Sequence, residues 1–404
     1  AVLSASMQEV EVVSKEEIEK ILQKVDKEAT ARKLIGTSRW IVYLIGVSWS
    51  IFQVYTAAFG LFPAQLQRSV HLAYAFVLTF LLFPARSGRS SNRLSWHHWA
   101  LVAFAGYIGL YMALNYIRIM EAGGDYSRID YLAAGCGILL TLEAARRVVG
   151  LPIVCLAAFF IVYTYFGSYF PGFMAHRGYS LERIASHMFL TTEGILGIPL
   201  GVAATFIYLF ILFGSFREKS GLGQLFIDIS NAVAGWASGG PAKMAIVTSA
   251  LEGTVSGSSV ANTVESGSLT IPMMKRLGYR PEFAAAVEAS SSTGGQIMPP
   301  IMGAAAFVMA EYLAVSYFQV TVWAWIPALL FYAALFFAVH FEAKRVGLVG
   351  VPRSELPRLG QVMRERGHLF IPILLVLGGM AMSYSAPLCA LVGTIATLPV
   401  ALMR

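Results

Sequence analysis

The chain has 404 residues, of which 57% are hydrophobic and only 13% charged. That balance excludes an ordinary soluble domain and reads as an all-α polytopic membrane protein. The net charge of +7 implies no nucleic-acid partner, because the basic residues lie between apolar runs rather than along one amphipathic face.

Residues 1–39 form a charged segment in which Ile18, Leu22, Val25 and Ala29 recur at helical spacing after a capping Ser14. A cytoplasmic, interface-lying amphipathic helix is expected there. Residues 40–150 hold four apolar runs, Trp40 to Phe62, Val70 to Phe83, Trp96 to Ile117 and Tyr131 to Val149, which predict a four-helix membrane domain. Glu143 and Arg147, four residues apart at its inner end, form a predicted helix-surface pair. Residues 151–194 add a fifth span, Leu151 to Phe170, and a short amphipathic helix marked by Leu181, Ile184, His187 and Met188.

With the N-terminus in the cytoplasm, the inner segments up to Lys219 carry 14 Lys and Arg and the outer ones only Arg68, Arg118, Arg128, Arg177 and Arg183. This is the asymmetry of the positive-inside rule. Cys136, Cys155 and Cys389 sit in apolar runs, and His176 and His187 have no second ligand at a fixed spacing, so no transition-metal site is expected.

From residue 195 to 404 the composition shifts to Gly, Ser, Ala and Thr, and after the span Ile195 to Phe216 the helices break. Lys243 to Val255 reaches only ~20 Å at ~1.5 Å per residue, short of the ~30 Å hydrocarbon layer. It is followed by the small polar stretch SGSSVAN and a second short run, Thr263 to Lys275. Two half-spans with basic outer ends predict a re-entrant helical hairpin over about 242–276, open to the cytoplasm with its tip at mid-membrane. Within about 282–315, SSTGGQIMPP breaks a second helix: Gly294 and Gly295 release the backbone, and Pro299 with Pro300 prevents its continuation.

Carbonyls near Thr293 to Gln296, with the hydroxyls of Ser292 and Thr293, are hard oxygen ligands of the kind Na⁺ takes at discontinuous helices. A helix N-terminus near Asn262 or Thr263 suits a carboxylate, oriented by Ser258, Ser259, Asn262 and Gln296. Glu252 and Glu265 flank the tip as second-rank candidates, with Glu288 and Glu311 behind them. A membrane-embedded hydrolase using Ser256 or Ser258 requires a His or Asp at matching depth, and no span supplies one. No catalytic residue is expected, and the chain reads as a transporter rather than an enzyme.

The stretch LEGTVSGSSVANTVESGSLTIPMMKRLGYRPEFAAAVEASSSTGGQIMPPIMGAAAFVMAEYL, Leu251 to Leu313, resembles the large membrane subunit of TRAP transporters, the tripartite ATP-independent periplasmic transporters. STGGQIMPP with MGAAAFVMAE is most similar to the branch served by a TAXI-type periplasmic binding protein, and the four preceding spans resemble the small subunit fused in frame. The resemblance implies an elevator-type transport domain beside a four-helix scaffold in the bacterial inner membrane, driven by Na⁺ and importing a small carboxylate. It also implies a first Na⁺ site at Ser256, Gly257, Ser258, Asn262, Thr293, Gly294 and Gly295. An ion-coupled anion transporter of hairpin type without a binding protein is the competing expectation. Only the first of the family's two inverted repeats is expected here, since plain spans, Val320 to Val339, Leu369 to Met382 and Ala386 to Met403, follow the break. Residues 1 to 404 alone are therefore not expected to complete the transport site.

Overall fold

The structure, a computed structural model, describes residues 31, 32, 34–85 and 96–403. The expected N-terminal amphipathic helix lies outside the described residues. Helices account for the regular structure, with no strand among the described residues. The chain divides into two compact units, one holding the described residues up to Ile51 with Phe62–Gly201, the other Phe52–Leu61 with Val202 onward.

The expected apolar runs of the first part are α1 (Thr37–Phe59), α2 (Ala64–Leu82), α3 (Trp96–Leu114), α5 (Arg128–Val148) and α6 (Leu151–Phe166), with a short α4 (Tyr116–Glu121) after α3. In the first unit Phe76, Phe80, Ile108, Met112, Ala134 and Phe189 form a core on α2, α3, α5 and the segment after α7 (Leu181–Ala185). The predicted amphipathic helix is thus five residues of α-helix continued by a π turn, Ser186–Leu190. No residue of α6 is buried, and its apolar side chains are those of a helix surrounded by lipid. Ser127 caps α5, Asp130 completes the capping box, and Arg118 reaches Asp130 at 2.5 Å. At the other end of α5, Glu143 binds Arg147 at 2.8 Å as the spacing predicts, and Arg146 at 2.7 Å as well.

In the second unit, α8 (Ile198–Glu218) is a full span by length and hydropathy. After α9 (Leu222–Ala234) the hairpin arms are α10 (Gly240–Ser256) and α11 (Ser259–Arg276). At 17 and 18 residues both are longer than the sequence reading gave, because Gly240 and Pro241 already start α10 and Ser258 caps α11. The two open ends meet, since a Cβ on Gly239 would strike the Tyr279 hydroxyl just beyond α11. The chain after α14 (Tyr317–Val346) joins them, with Ser238 Oγ donating to Leu348 O at 2.8 Å and Val351 N donating to Gly235 O at 2.9 Å. This is a helical hairpin whose two open ends lie together. Its arms pack on α12 (Pro281–Gly294) and α14 through Ala242, Ala245, Ile246, Met274, Ala284 and Val287. The chain continues through α13 (Ala304–Leu313), α15 (Leu359–Arg366), α16 (Ile371–Ala381) and α17 (Ala386–Leu402).

Candidate functional site

The sequence placed two interruptions about 35 residues apart, and the structure sets them face to face. At the tip, α10 ends at Ser256, Gly257 turns the chain with φ of +60°, and the Ser258 side chain accepts from Ala261 N. The second interruption begins later than expected. Gly294 closes α12, Gly295 still has helical dihedrals within a 3₁₀ turn (Gly295–Ile297), and the backbone leaves the helix only at Met298. The cis peptide Pro299-Pro300 follows, and Gly303 opens α13. The helical geometry persists because the Gly295 amide still donates to Ser292 O and the Met298 amide to Gly295 O; Pro299 and Pro300 have no amide with which to continue it.

Three contacts join tip and break. Ile301 N donates to Thr254 O at 3.3 Å, Gln296 Nε2 donates to Ser259 Oγ at 2.9 Å, and the Gly253 and Gly295 backbones approach so closely that neither position has room for a Cβ. Gly303 N returns to Gln296 O at 2.7 Å and closes the loop of the break on itself. The last turn of any helix leaves four carbonyls without intrahelical donors. In α10 only Thr254 O among those gains a donor from the break, so a carbonyl-rich end faces the interruption.

Among the predicted residues, Ser256, Gly257, Asn262 and Gly295 meet. Ser256 Oγ donates to Asn262 Oδ1, a Cβ on Gly257 would strike Met302 O, and one on Gly295 would reach Asn262 Nδ2 at 2.7 Å. Asn262 is fully buried and its Nδ2 has no hydrogen-bond partner. Ser258, exposed, and Ser259 with Gln296 form the open rim. Thr293 and Gly294 lie elsewhere on the turn: the Thr293 hydroxyl donates to Ala289 O and opens on a groove with Phe331 and Leu335, while Gly294 abuts Phe331 and Tyr332. The free N-terminal amides fall at Ser259 and Val260 rather than at Asn262 or Thr263, because Asn262 N already donates to Ser258 O at 3.1 Å.

The glutamates differ. Glu288, fully buried, accepts from Ser266 at 2.6 Å, Ser292 at 3.3 Å, Ser249 at 3.5 Å and from Thr270. Part of that arrangement is visible in the spacing, as Ser266 and Thr270 are four residues apart on one helix face and Ser292 lies four after Glu288, but the spacing does not say which glutamate they serve. Glu252 is buried with both carboxylate oxygens unpartnered, and Glu265 folds over Gly223 of α9. Glu311 lines a separate cavity with Tyr317 and Ser383. No cluster of His, Cys, Asp and Glu suited to a metal ion occurs among the described residues.

A family model described as "Tripartite ATP-independent periplasmic transporter, DctM component" matches residues 136–404. The chain is 29% identical to the C4-dicarboxylate TRAP transporter large permease protein of Vibrio cholerae, over 51% of this chain and 44% of that protein. It is 25% identical to the isethionate TRAP transporter permease protein DctMQ of Oleidesulfovibrio alaskensis, over 78% of this chain and 46% of that protein. With the 2,3-diketo-L-gulonate TRAP transporter large permease protein of Escherichia coli it shares 25% identity over 42% of this chain and 40% of that one. The chain spans about half the length of the curated relatives it matches. The hairpin and the broken helix both lie inside the matched region, which covers well over half of the sequence, and the chain belongs to the DctM family of TRAP transporter permeases.

Proposed function

We propose that the chain is the membrane permease part of a Na⁺-coupled importer of small carboxylates, which a periplasmic binding protein of TAXI type delivers and an elevator movement carries across the inner membrane. The observation that carries this reading is the seating of the hairpin tip against the broken helix through Thr254–Ile301, Ser259–Gln296 and Gly253–Gly295. Hard oxygen donors at Ser256, Asn262 and the α10 carboxyl end suit Na⁺, and the amides of Ser259 and Val260 with the rim at Ser258 and Gln296 suit a carboxylate. The relatives carry names for C4-dicarboxylates, isethionate and 2,3-diketo-L-gulonate, which fits a small organic anion as the solute.

The test is uptake of labelled small carboxylates by the complete transporter in proteoliposomes, with its binding protein outside and an inward Na⁺ gradient. Asn262→Leu is expected to lower Na⁺-driven uptake by about 30- to 150-fold, on the scale of ~2–3 kcal/mol for an unpaired buried partner, and Ser258→Leu, at the exposed rim, by about tenfold. Equal uptake in K⁺ and Na⁺, or normal uptake in both variants, would sink the assignment.

A further inference from the structure

Behind the tip, α10 carries a pair of polar side chains that neither the tip nor the break uses. Thr248 and Glu252 are four residues apart and share one helix face, and each is 1% exposed. Thr248 Oγ1 and both carboxylate oxygens of Glu252 have no hydrogen-bond partner among the described residues. Glu288 is equally buried but stands in the opposite condition, solvated by four hydroxyls.

The groups that face Glu252 come from each neighbouring helix that carries one: Arg217 from α8, Glu265 and the Ser266 hydroxyl from α11, Glu288 from α12 and the Tyr332 phenol from α14, the Ser266 hydroxyl being already engaged with Asn262 O and Glu288. On α9 the acidic side chain, Asp228, is bound to Arg366 instead. Arg217 is the one cation among these groups. It is 5% exposed with its Nε unpartnered, and it is shared electrostatically between Glu252 and Glu265. The one guanidinium is thus divided among Glu265, Glu252 and Glu218, and a bare carboxylate without donors is not sustained in such an interior. One further positive charge, bound by the carboxyl and the hydroxyl together, satisfies every unpartnered oxygen of the pair.

We propose that Thr248 and Glu252 form a monovalent-cation site behind the hairpin tip, distinct from the tip itself and filled by Na⁺ or by a proton. The carboxyl supplies the charge and the threonine hydroxyl the second oxygen. Glu252 adjoins Gly253, whose backbone abuts Gly295, so occupancy bears directly on how the tip seats against the break. Its role in coupling rests on the transporter reading above; its existence does not, because binding is measured without transport.

The purified complete transporter is compared with Glu252→Gln and with Thr248→Val by infrared spectroscopy, ²²Na⁺ binding and proton release. If a proton fills the site, the wild type in Na⁺-free buffer shows the carbonyl band of a neutral carboxylic acid that Glu252→Gln lacks. If Na⁺ fills it, Na⁺ binding capacity falls in Glu252→Gln, and adding Na⁺ to the wild type releases a proton that the variant does not release. Thr248→Val, which keeps the shape and removes the oxygen, weakens the occupant by about tenfold and serves if Glu252→Gln does not fold. In proteoliposomes Glu252→Gln moves one fewer positive charge per solute, read from the reversal potential. Identical band, Na⁺ capacity and proton release in wild type and Glu252→Gln overturn the site. A changed band or capacity in a transporter that takes up no carboxylate leaves the site standing and overturns the importer reading.

Discussion

Gly257 joins the two interruptions at a single residue. Its φ of +60° is in the left-handed region, and a Cβ there would collide with the Met302 carbonyl oxygen across the site. Gly257→Ala therefore carries both the ~1–2 kcal/mol cost of a left-handed L-residue and a displacement of the break. Thermal unfolding in detergent is expected to show a lower midpoint and, on the proposed Na⁺-coupled reading, to lack the rise with Na⁺ that is expected of the wild type. Gly278→Ala makes the control: its φ is +99°, but its nearest neighbour is the flexible end of Leu348 at 3.4 Å. It lowers the midpoint while keeping the Na⁺ effect, and an unchanged Na⁺ response in Gly257→Ala would remove the tip from ion binding.

The apolar spans were more legible in this sequence than the caps that bound them: α5, expected from Tyr131, starts at Arg128 behind a capping box. Asp130 is fully buried, accepts from Tyr111 at 2.7 Å, from Arg118 at 2.8 and 2.5 Å and from Ser127 N at 2.8 Å. The Arg118 guanidinium, followed by the Ser127 and Tyr111 donors, holds the carboxyl well below the usual carboxylate range. A depressed value contributes stability that is complete above the unfolded pKa of ~3.9 and is lost as pH falls from there toward the folded value. The wild type is thus expected to melt above Asp130→Asn by a constant margin from pH 8 to 5 and by a shrinking one below about pH 4. A margin that widens on acidification would contradict the assignment. Apolar runs and Gly/Ser/Pro breaks located the spans, the hairpin and the broken helix, since membrane segments leave backbone groups few alternatives. The boundaries slipped where proline outranked glycine, which moved the break from Gly294 to Met298. They slipped again at Ser258, whose capping extended α11 back to Ser259. What the sequence did not reveal was which hydroxyls serve which glutamate, because four of them converge on Glu288 from α10, α11 and α12 while Glu252 receives none.

For the whole chain, sidedness follows from charge and from the way the hairpin closes. The ends of α10 and α11 adjoin the exit of α14 at Ser238–Leu348 and Gly235–Val351, where Lys344 and Arg345 complete that helix. At the opposite end of α14, Ser316 and Tyr317 share a cavity with Ser383 and Tyr384 of the turn between α16 and α17. Because α14 is long and apolar enough to cross a bilayer, these two groups of residues are expected on opposite faces. By the positive-inside rule, the excess of Lys and Arg is expected to place the hairpin opening in the cytoplasm. On a background with Cys136, Cys155 and Cys389 replaced, single cysteines at Ser316 and Ser383 are expected to react with a membrane-impermeant maleimide added to spheroplasts. Cysteines at Ser238 and at the exposed Ser354, three residues after Val351, should react only after permeabilisation. Labelling of Ser238→Cys from outside would turn the hairpin over, expose its tip from the opposite face, and require that solute and ion reach the same residues by a reversed path.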